Sequence, residues 1–117
     1  MQEMLGAPQQ AFIIFFAFDR ANLDAAAMRV IGDIVAAARR APNARVSVFG
    51  FTDTAGNPQY NLGLSKRRAG AVVGALAARG VARSRMAASG FGETRLRVPT
   101  PDGTPNAQNR RAEITVQ

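Results

Sequence analysis

The chain has 117 residues, with 15 lysines and arginines against 8 acidic residues, a formal net charge of +7, and neither histidine nor cysteine. This length allows one domain, and a hydrophobic fraction of 47% lets it bury a core without disulfides. The missing residue types exclude Cys/His zinc sites, cysteine nucleophiles and Ser-His-Asp triads. We therefore expect no cofactor and no metal site.

The first predicted elements are a strand and an amphipathic helix. Residues 12–18 are apolar on both alternating faces, a pattern typical of a central strand that is covered on both sides. Asn22 or Asp24 can then cap a helix that ends near Arg40, before Pro42. Its apolar positions recur at three- and four-residue steps: Leu23, Ala27, Val30, Ile31, Ile34 and Ala38.

A second strand and a second helix follow, with a polar loop between them. The strand contains Val46 and stops at Gly50, and residues 52–58 have the composition of a loop. The helix is predicted over about residues 60–79, with Gly80 as its C-terminal cap. Its apolar stripe is expected to consist of Leu62, Ala69, Val72, Val73 and Leu76.

The last part of the chain holds two more strands around a long connection. Short strands are predicted at residues 85–89 and 111–116. The proline-rich segment 94–108 between them is long for a compact domain, which indicates either a rim loop beside a site or a mobile loop. This order of elements predicts the α/β (α+β) class, with two helices packed on one mixed sheet.

Two polar features stand where one strand ends and the next helix begins: Asp53 in the loop, and Arg68 on the helix. At about 100° per residue, Asn61, Ser65 and Arg68 share one side, about 80° from the apolar stripe, so Arg68 should border the buried face. Its guanidinium can bind a carboxylate while Asp53 binds an ammonium, which suits a zwitterionic ligand. A structural ion pair between Asp53 and Arg68 is the alternative, and their spacing does not decide between the two.

Five ordered motifs carry a family resemblance. They are Gly50-Phe51-Thr52-Asp53, Asn61 with Leu64-Ser65, Arg67-Arg68-Ala69, Gly90-Phe91-Gly92-Glu93 and Asn109-Arg110-Arg111. Over about residues 12–116 the chain resembles the OmpA-like peptidoglycan-binding domain, also found in Pal lipoproteins and MotB-type stator proteins. The resemblance implies a βαβαββ two-layer sandwich with a mixed parallel and antiparallel four-stranded sheet. Residues 11–117 would form this domain, and residues 1–10 a linker or an expression remnant.

The function implied by this resemblance is non-covalent binding of peptidoglycan through its diaminopimelate-containing peptide stem. Such binding anchors the outer membrane or a membrane complex to the cell wall, without enzymatic activity. Asp53 matches the family aspartate that takes the ammonium of diaminopimelate, and Arg68 matches the arginine that takes its carboxylate. Further positions implied to bind the ligand are Phe18, Asp19, Asn61, Leu64 and Arg110.

Several of these assignments have alternatives. Phe18 and Leu64 equally suit core positions. Arg110 equally suits a solvated charge or an ion pair with Glu93 or Glu113. Phe51 stands where many family members have histidine, which removes a titratable group from the neighbourhood of Asp53.

The expected setting is the periplasm, with the domain tethered to the outer membrane. Peptidoglycan is the expected partner, and nucleic acid is not expected. Membrane contact would come only through a segment absent from this chain, since its start has no signal-peptide pattern and its longest apolar run has eight residues. The oligomeric state is left open, with a dimer of the full-length protein as one option.

Two rival functions follow from the charged residues. The net charge of +7 makes a module that binds nucleic acid or another polyanion the main alternative, although no stretch of the sequence interleaves aromatic with basic residues. Convergence of Asp19, Asp53 and Glu93 as paired carboxylates would suit glycan hydrolysis. The family resemblance favours binding over both.

Overall fold

The computed structural model describes residues 9–117, which fold around a four-stranded sheet with the strand order β1-β4-β2-β3. The strands are β1 (Gln10–Phe15), β2 (Val46–Phe51), β3 (Met86–Gly90) and β4 (Arg111–Val116). β4 runs antiparallel to β1 and β2, and β2 runs parallel to β3. Helices α1 (Ala25–Arg40) and α2 (Pro58–Ala78) pack on one face of the sheet. The predicted βαβαββ sandwich with a mixed sheet is confirmed.

The helix ends follow local signals. Asp24 caps α1, because its Oδ1 accepts a hydrogen bond of 2.8 Å from the backbone N–H of Ala27. Asn57 caps α2, which begins at Pro58, two residues before the predicted start. Gly80 has a φ of 98° and ends α2 as predicted, because a residue without Cβ adopts the left-handed region at little cost.

The N-terminal part of the chain is described only from residue 9 onward. Residues 1–8 of the predicted linker lie outside this range, and β1 begins at Gln10. Within residues 9–117, neither helix combines the length and the apolar composition that crossing a bilayer requires.

The prediction of a central first strand is wrong, since within residues 9–117 β1 lies at the edge of the sheet and pairs only with β4. Ile14 faces the helices and is 1% exposed, whereas Phe15 lies on the other face and is 41% exposed. Phe18 lies beyond the strand in a turn and is 57% exposed. The apolar run reflects contacts on both faces, because the Arg97 guanidinium carbon lies 5.7 Å from the Phe15 ring centroid. Side chains cover the faces of a strand, whereas partner strands lie beside its edges. A strand at the edge of the sheet can therefore carry apolar residues on both faces.

The predicted apolar stripe of α2 is also wrong in its first half. Leu62 is 41% exposed. The residues of α2 that are buried are Asn61, Leu64, Ser65, Arg68, Ala69, Val72 and Leu76. Polar side chains occupy the first turns of this buried face, because here the helix packs against loop backbone whose polar groups need partners.

The helix-free face of the sheet brings arginines and phenylalanines together. The guanidinium carbon of Arg95 lies 3.9 Å from the Phe91 ring centroid, and that of Arg111 lies 4.0 Å from Phe51. Phe51 and Phe91 also stack at 5.5 Å. Phe51 and Arg111 are each only 4% exposed, so this interleaving of basic and aromatic residues stabilises the sheet and leaves no open stacking surface at Phe51.

The long connection before β4 is a rim loop anchored at several points. Asn109 Oδ1 accepts hydrogen bonds of 2.8 Å from the backbone N–H groups of Arg97 and Val98. The Thr54 hydroxyl bonds to the backbone oxygen of Pro101 at 2.8 Å. These bonds hold the loop against the residues that follow β2, which agrees with the first of the two alternatives for segment 94–108.

Candidate ligand-binding site

A cavity of about 120 Å³ opens at the end of the sheet where β1 and β2 finish and α2 begins. Its lining residues are Phe18, Asp19, Asp53, Ala55, Gly56, Tyr60, Asn61 and Leu64. Residues from three separate segments therefore meet, and five of them are residues that the sequence singled out. The remaining two, Arg68 and Arg110, lie next to the cavity and are described below.

Asp53 is the charged residue at the centre of this site and is only 3% exposed. Its Oδ1 accepts a hydrogen bond from the backbone N–H of Ala55 at 3.2 Å. Its Oδ2 accepts from the backbone N–H of Asn106 at 3.1 Å and from Arg110 Nη1 at 3.3 Å. Because a carboxylate has about four acceptor positions, one remains for a donor in the cavity.

The arginine that pairs with Asp53 is Arg110 and not Arg68. Within residues 9–117 the ion pairs are Arg110 with Asp53 at 3.3 Å and Arg111 with Glu113 at 2.7 Å. The predicted alternatives for Arg110, a pair with Glu93 or Glu113, are therefore wrong, as is the direct pair of Asp53 with Arg68. The Arg110 side chain is 17% exposed, so it can also contact a ligand.

Arg68 lies in the middle of the buried face of α2 and is 0% exposed, so its predicted place at the border of that face is wrong. Its Nη1 donates to the backbone oxygen of Phe51 at 2.9 Å. Its Nε and Nη2 donate to the backbone oxygens of Arg20 at 2.9 Å and Ala17 at 3.2 Å. Arg68 therefore ties the turn that carries Phe18 and Asp19 to the end of β2.

The charge of Arg68 lies close beneath the cavity. Burial lowers the pKa of Arg68 to about 10, the negative charge of Asp53 acts in the opposite direction, and the positive charge of Arg110 lowers this pKa further. The guanidinium is still protonated at neutral pH. The site thus combines one buried carboxylate with two neighbouring cations.

The remaining predicted residues have distinct environments. Asn61 is 2% exposed, and its Nδ2 donates to the backbone oxygen of Ala55 at 2.9 Å and to Glu93 Oε1 at 3.0 Å. Leu64 is 4% exposed, lines the cavity and lies outside the main core cluster. Phe18 is 57% exposed, so the core alternative is wrong for this residue.

Tyr60 is a cavity residue that the sequence analysis missed. Its hydroxyl donates a hydrogen bond to Asp19 Oδ1, and Asp19 adopts a φ of 57°, in the left-handed region that non-glycine residues rarely occupy. The hydrogen bond to Asp19 raises the pKa of Tyr60 above its ordinary value. The only feature of the sequence that pointed to Tyr60 as a cavity residue was its position directly before Asn61, in the first turn of α2.

This contact is directly measurable, because Tyr60 is the single tyrosine of a chain without tryptophan. In a spectrophotometric pH titration, we expect the tyrosinate absorbance of Tyr60 to appear at higher pH than in a short peptide. Asp19→Asn should lower this midpoint, because it removes a negative charge that favours the neutral phenol. Asp33→Asn, on the exposed side of α1, serves as control. An equal midpoint in wild type and Asp19→Asn would contradict the contact.

The fold and the cavity together define a small two-layer α/β domain with a cavity lined by charged residues at one end of its sheet. The chain belongs to the OmpA family, whose model matches residues 15–111. It is 34% identical over 101 residues to the peptidoglycan-associated lipoprotein of Haemophilus influenzae, an alignment that covers 86% of this chain and 66% of that protein. It is 36% identical over 113 residues to an outer membrane protein of Gluconacetobacter diazotrophicus, covering 92% of this chain and 30% of that protein.

A solved structure has the same fold. The peptidoglycan-associated lipoprotein from Burkholderia pseudomallei superposes with a TM-score of 0.82 at 30% identity, covering 90% of this chain and 89% of that one. The chain therefore matches nearly the whole of that solved domain, but it spans 66% and 30% of the two curated relatives.

Proposed function

We propose that this chain binds peptidoglycan non-covalently through the diaminopimelate residue of its peptide stem. Membership of the OmpA family supports this function, as do the relatives in Haemophilus influenzae and Burkholderia pseudomallei, which are named peptidoglycan-associated lipoproteins. The observation that carries the proposal is the buried Asp53 carboxylate, which has an open acceptor position and Arg110 3.3 Å away. Adjacent opposite charges suit the zwitterionic end of diaminopimelate.

The roles of the charged residues follow from their contacts. The ligand ammonium takes the open position on Asp53 and weakens the hold of that carboxylate on Arg110. Arg110, which is partly exposed, then turns its guanidinium to the ligand carboxylate. Arg68 adds positive charge from beneath the cavity, and its carbonyl contacts keep the turn with Phe18 and Asp19 in place.

The other cavity residues complete this proposed site. Phe18 and Leu64 offer apolar surface to the methylene groups between the two ends of diaminopimelate. Asp19 adds a second carboxylate at the rim. Asn61 holds the loop backbone at Ala55 and so fixes the wall beside Asp53.

The proposed setting is the periplasm, where the domain links an outer membrane or a membrane complex to the cell wall. The names of the relatives, an outer membrane protein and peptidoglycan-associated lipoproteins, support this setting. The partner is the peptidoglycan stem. We propose binding without turnover, so incubation with purified sacculi should release no soluble fragments.

The direct test compares soluble stem peptides by calorimetry. One peptide contains meso-diaminopimelate, and the other contains lysine, which has the ammonium but lacks the carboxylate. We expect wild type to bind the diaminopimelate peptide about 30-fold or more tightly than the lysine peptide, because the lysine peptide brings no carboxylate for Arg110 when its ammonium occupies Asp53. Asp53→Asn should weaken binding of the diaminopimelate peptide by about 30-fold or more, a cost of about 2 kcal/mol.

The matched control is Asp33→Asn, which removes the same charge from an exposed position on α1 and should leave binding unchanged. Equal affinity of wild type for the two peptides, or of wild type and Asp53→Asn for the diaminopimelate peptide, would refute the site. Polyanion binding predicts different results: steep weakening with salt, binding to DNA, and tighter binding when the charge of Asp53 is removed.

A further inference from the structure

A second cavity, of about 250 Å³, lies beside the proposed site on the other side of the first turns of α2. Its lining residues are Pro58, Gln59, Leu62, Phe91, Gly92, Glu93 and Thr94. Leu62 is 41% exposed here, although it lies on a helix packed against the sheet. We call this surface the apolar shelf.

The apolar shelf and the proposed site share a wall. Asn61 lines the site, the next residue Leu62 lines the shelf, and the Asn61 Nδ2 donates to Glu93 Oε1 at 3.0 Å. A peptide chain whose zwitterionic residue fills the site therefore has the shelf next to it.

The floor of the apolar shelf is held by hydrogen bonds and a close backbone contact. Gly92 adopts a φ of 59°, its N–H donates to Ser65 Oγ at 2.9 Å, and its carbonyl oxygen accepts from the Thr52 N–H at 2.8 Å. A Cβ atom at Gly92 would lie 3.2 Å from the Leu62 backbone, so the loop and the helix are in close contact. Because contacts within the protein hold this floor, an occupant does not have to order it first.

We propose that the apolar shelf is a second subsite for the peptide stem, which binds the methyl group of the alanine that follows diaminopimelate. This inference rests on the proposed function. Leu62 and Phe91 offer apolar surface that matches a methyl group. Among the described residues that line the shelf, Glu93 is the one that carries a charge, and it disfavours the other neighbour of diaminopimelate in the stem, the acidic glutamate.

The test uses two synthetic stem peptides that contain meso-diaminopimelate and differ in the residue after it. One ends in D-alanine carboxamide and the other in glycine carboxamide, so that their charges are equal. We expect wild type to bind the alanine peptide about fourfold more tightly, the gain from burying one methyl group. Leu62→Ser should reduce this preference to below about twofold. Val98→Ser, at an exposed apolar position outside the shelf, should keep it.

Equal affinity of wild type for the two peptides would overturn the apolar shelf as a subsite. The same holds if Leu62→Ser keeps the full alanine preference. If wild type prefers diaminopimelate over lysine but not alanine over glycine, the proposed function stands and the shelf inference alone is wrong. If wild type binds neither diaminopimelate peptide, both are wrong.

Discussion

Replacing Arg68 by alanine is expected to lower the free energy of unfolding by about 3 kcal/mol or more and to abolish stem-peptide binding. The substitution removes the guanidinium donors of the backbone oxygens of Arg20 and Phe51, while the Ala17 oxygen keeps its hydrogen bond of 3.1 Å from the Arg20 N–H. A buried acceptor that loses its donor costs about 1–3 kcal/mol, and the lost side chain also leaves a cavity. Both loops that carry the proposed ligand contacts then lose their common anchor.

Two further variants separate the charge of Arg68 from its geometry. Arg68→Lys keeps a cation but cannot donate to three carbonyl oxygens from one planar group, so it should bind the stem peptide more weakly than wild type. Arg68→Met keeps most of the volume and loses both charge and hydrogen bonds, so it should be less stable than Arg68→Lys.

Stability is measured by urea unfolding, and binding by calorimetry with the diaminopimelate peptide. Arg29→Ala, at an exposed position of α1, is the control and should change stability by less than about 0.5 kcal/mol. An Arg68→Ala protein with wild-type stability would show that the three carbonyl contacts do not hold the loops.

Replacing Gly50 by alanine is expected to cost about 3 kcal/mol or more, at the upper end of the effects of overpacking. A Cβ atom at Gly50 would lie 2.0 Å from the backbone oxygen of Ser65 and 3.2 Å from the backbone nitrogen of Ala69. Backbone atoms cannot rotate away as a side chain can, so α2 has to move off the sheet. Because β2 leads directly into Asp53, this movement should also weaken ligand binding.

The matched control for Gly50 lies on the helix itself. Gly70 is an exposed residue in the interior of α2, and a Cβ atom there would meet no atom of residues 9–117 within 4 Å. Gly70→Ala should therefore stabilise the protein by about 0.5–1 kcal/mol, because alanine favours helix formation. Thermal unfolding of both variants tests the close contact, and a Gly50→Ala protein that melts at the wild-type temperature would contradict it.

Features that depend on neighbours in the sequence were predicted well. The cap of α1 at Asp24, one of the two predicted candidates, the Gly80 end of α2 and the strand Arg111–Val116 all follow from a few adjacent residues. The end of β1 and its place at the edge were not predicted, because strand order depends on which segments pair. The exposure of Leu62 was missed for a related reason: the first turns of α2 bury polar residues against loops, which the apolar periodicity does not reveal.

The sequence by itself determined the OmpA family, the order of elements and most of the residues that line the cavity. Only the tertiary structure decided which charges meet. Asp53 pairs with Arg110, 57 positions away, while Arg68 binds backbone oxygens. An arginine reaches any acceptor within several ångströms, so its partner depends on how helices and loops pack, and sequence spacing does not record it. The same reason explains Tyr60, whose contact with Asp19 joins the first turn of α2 to the turn that follows β1, 41 positions earlier in the chain.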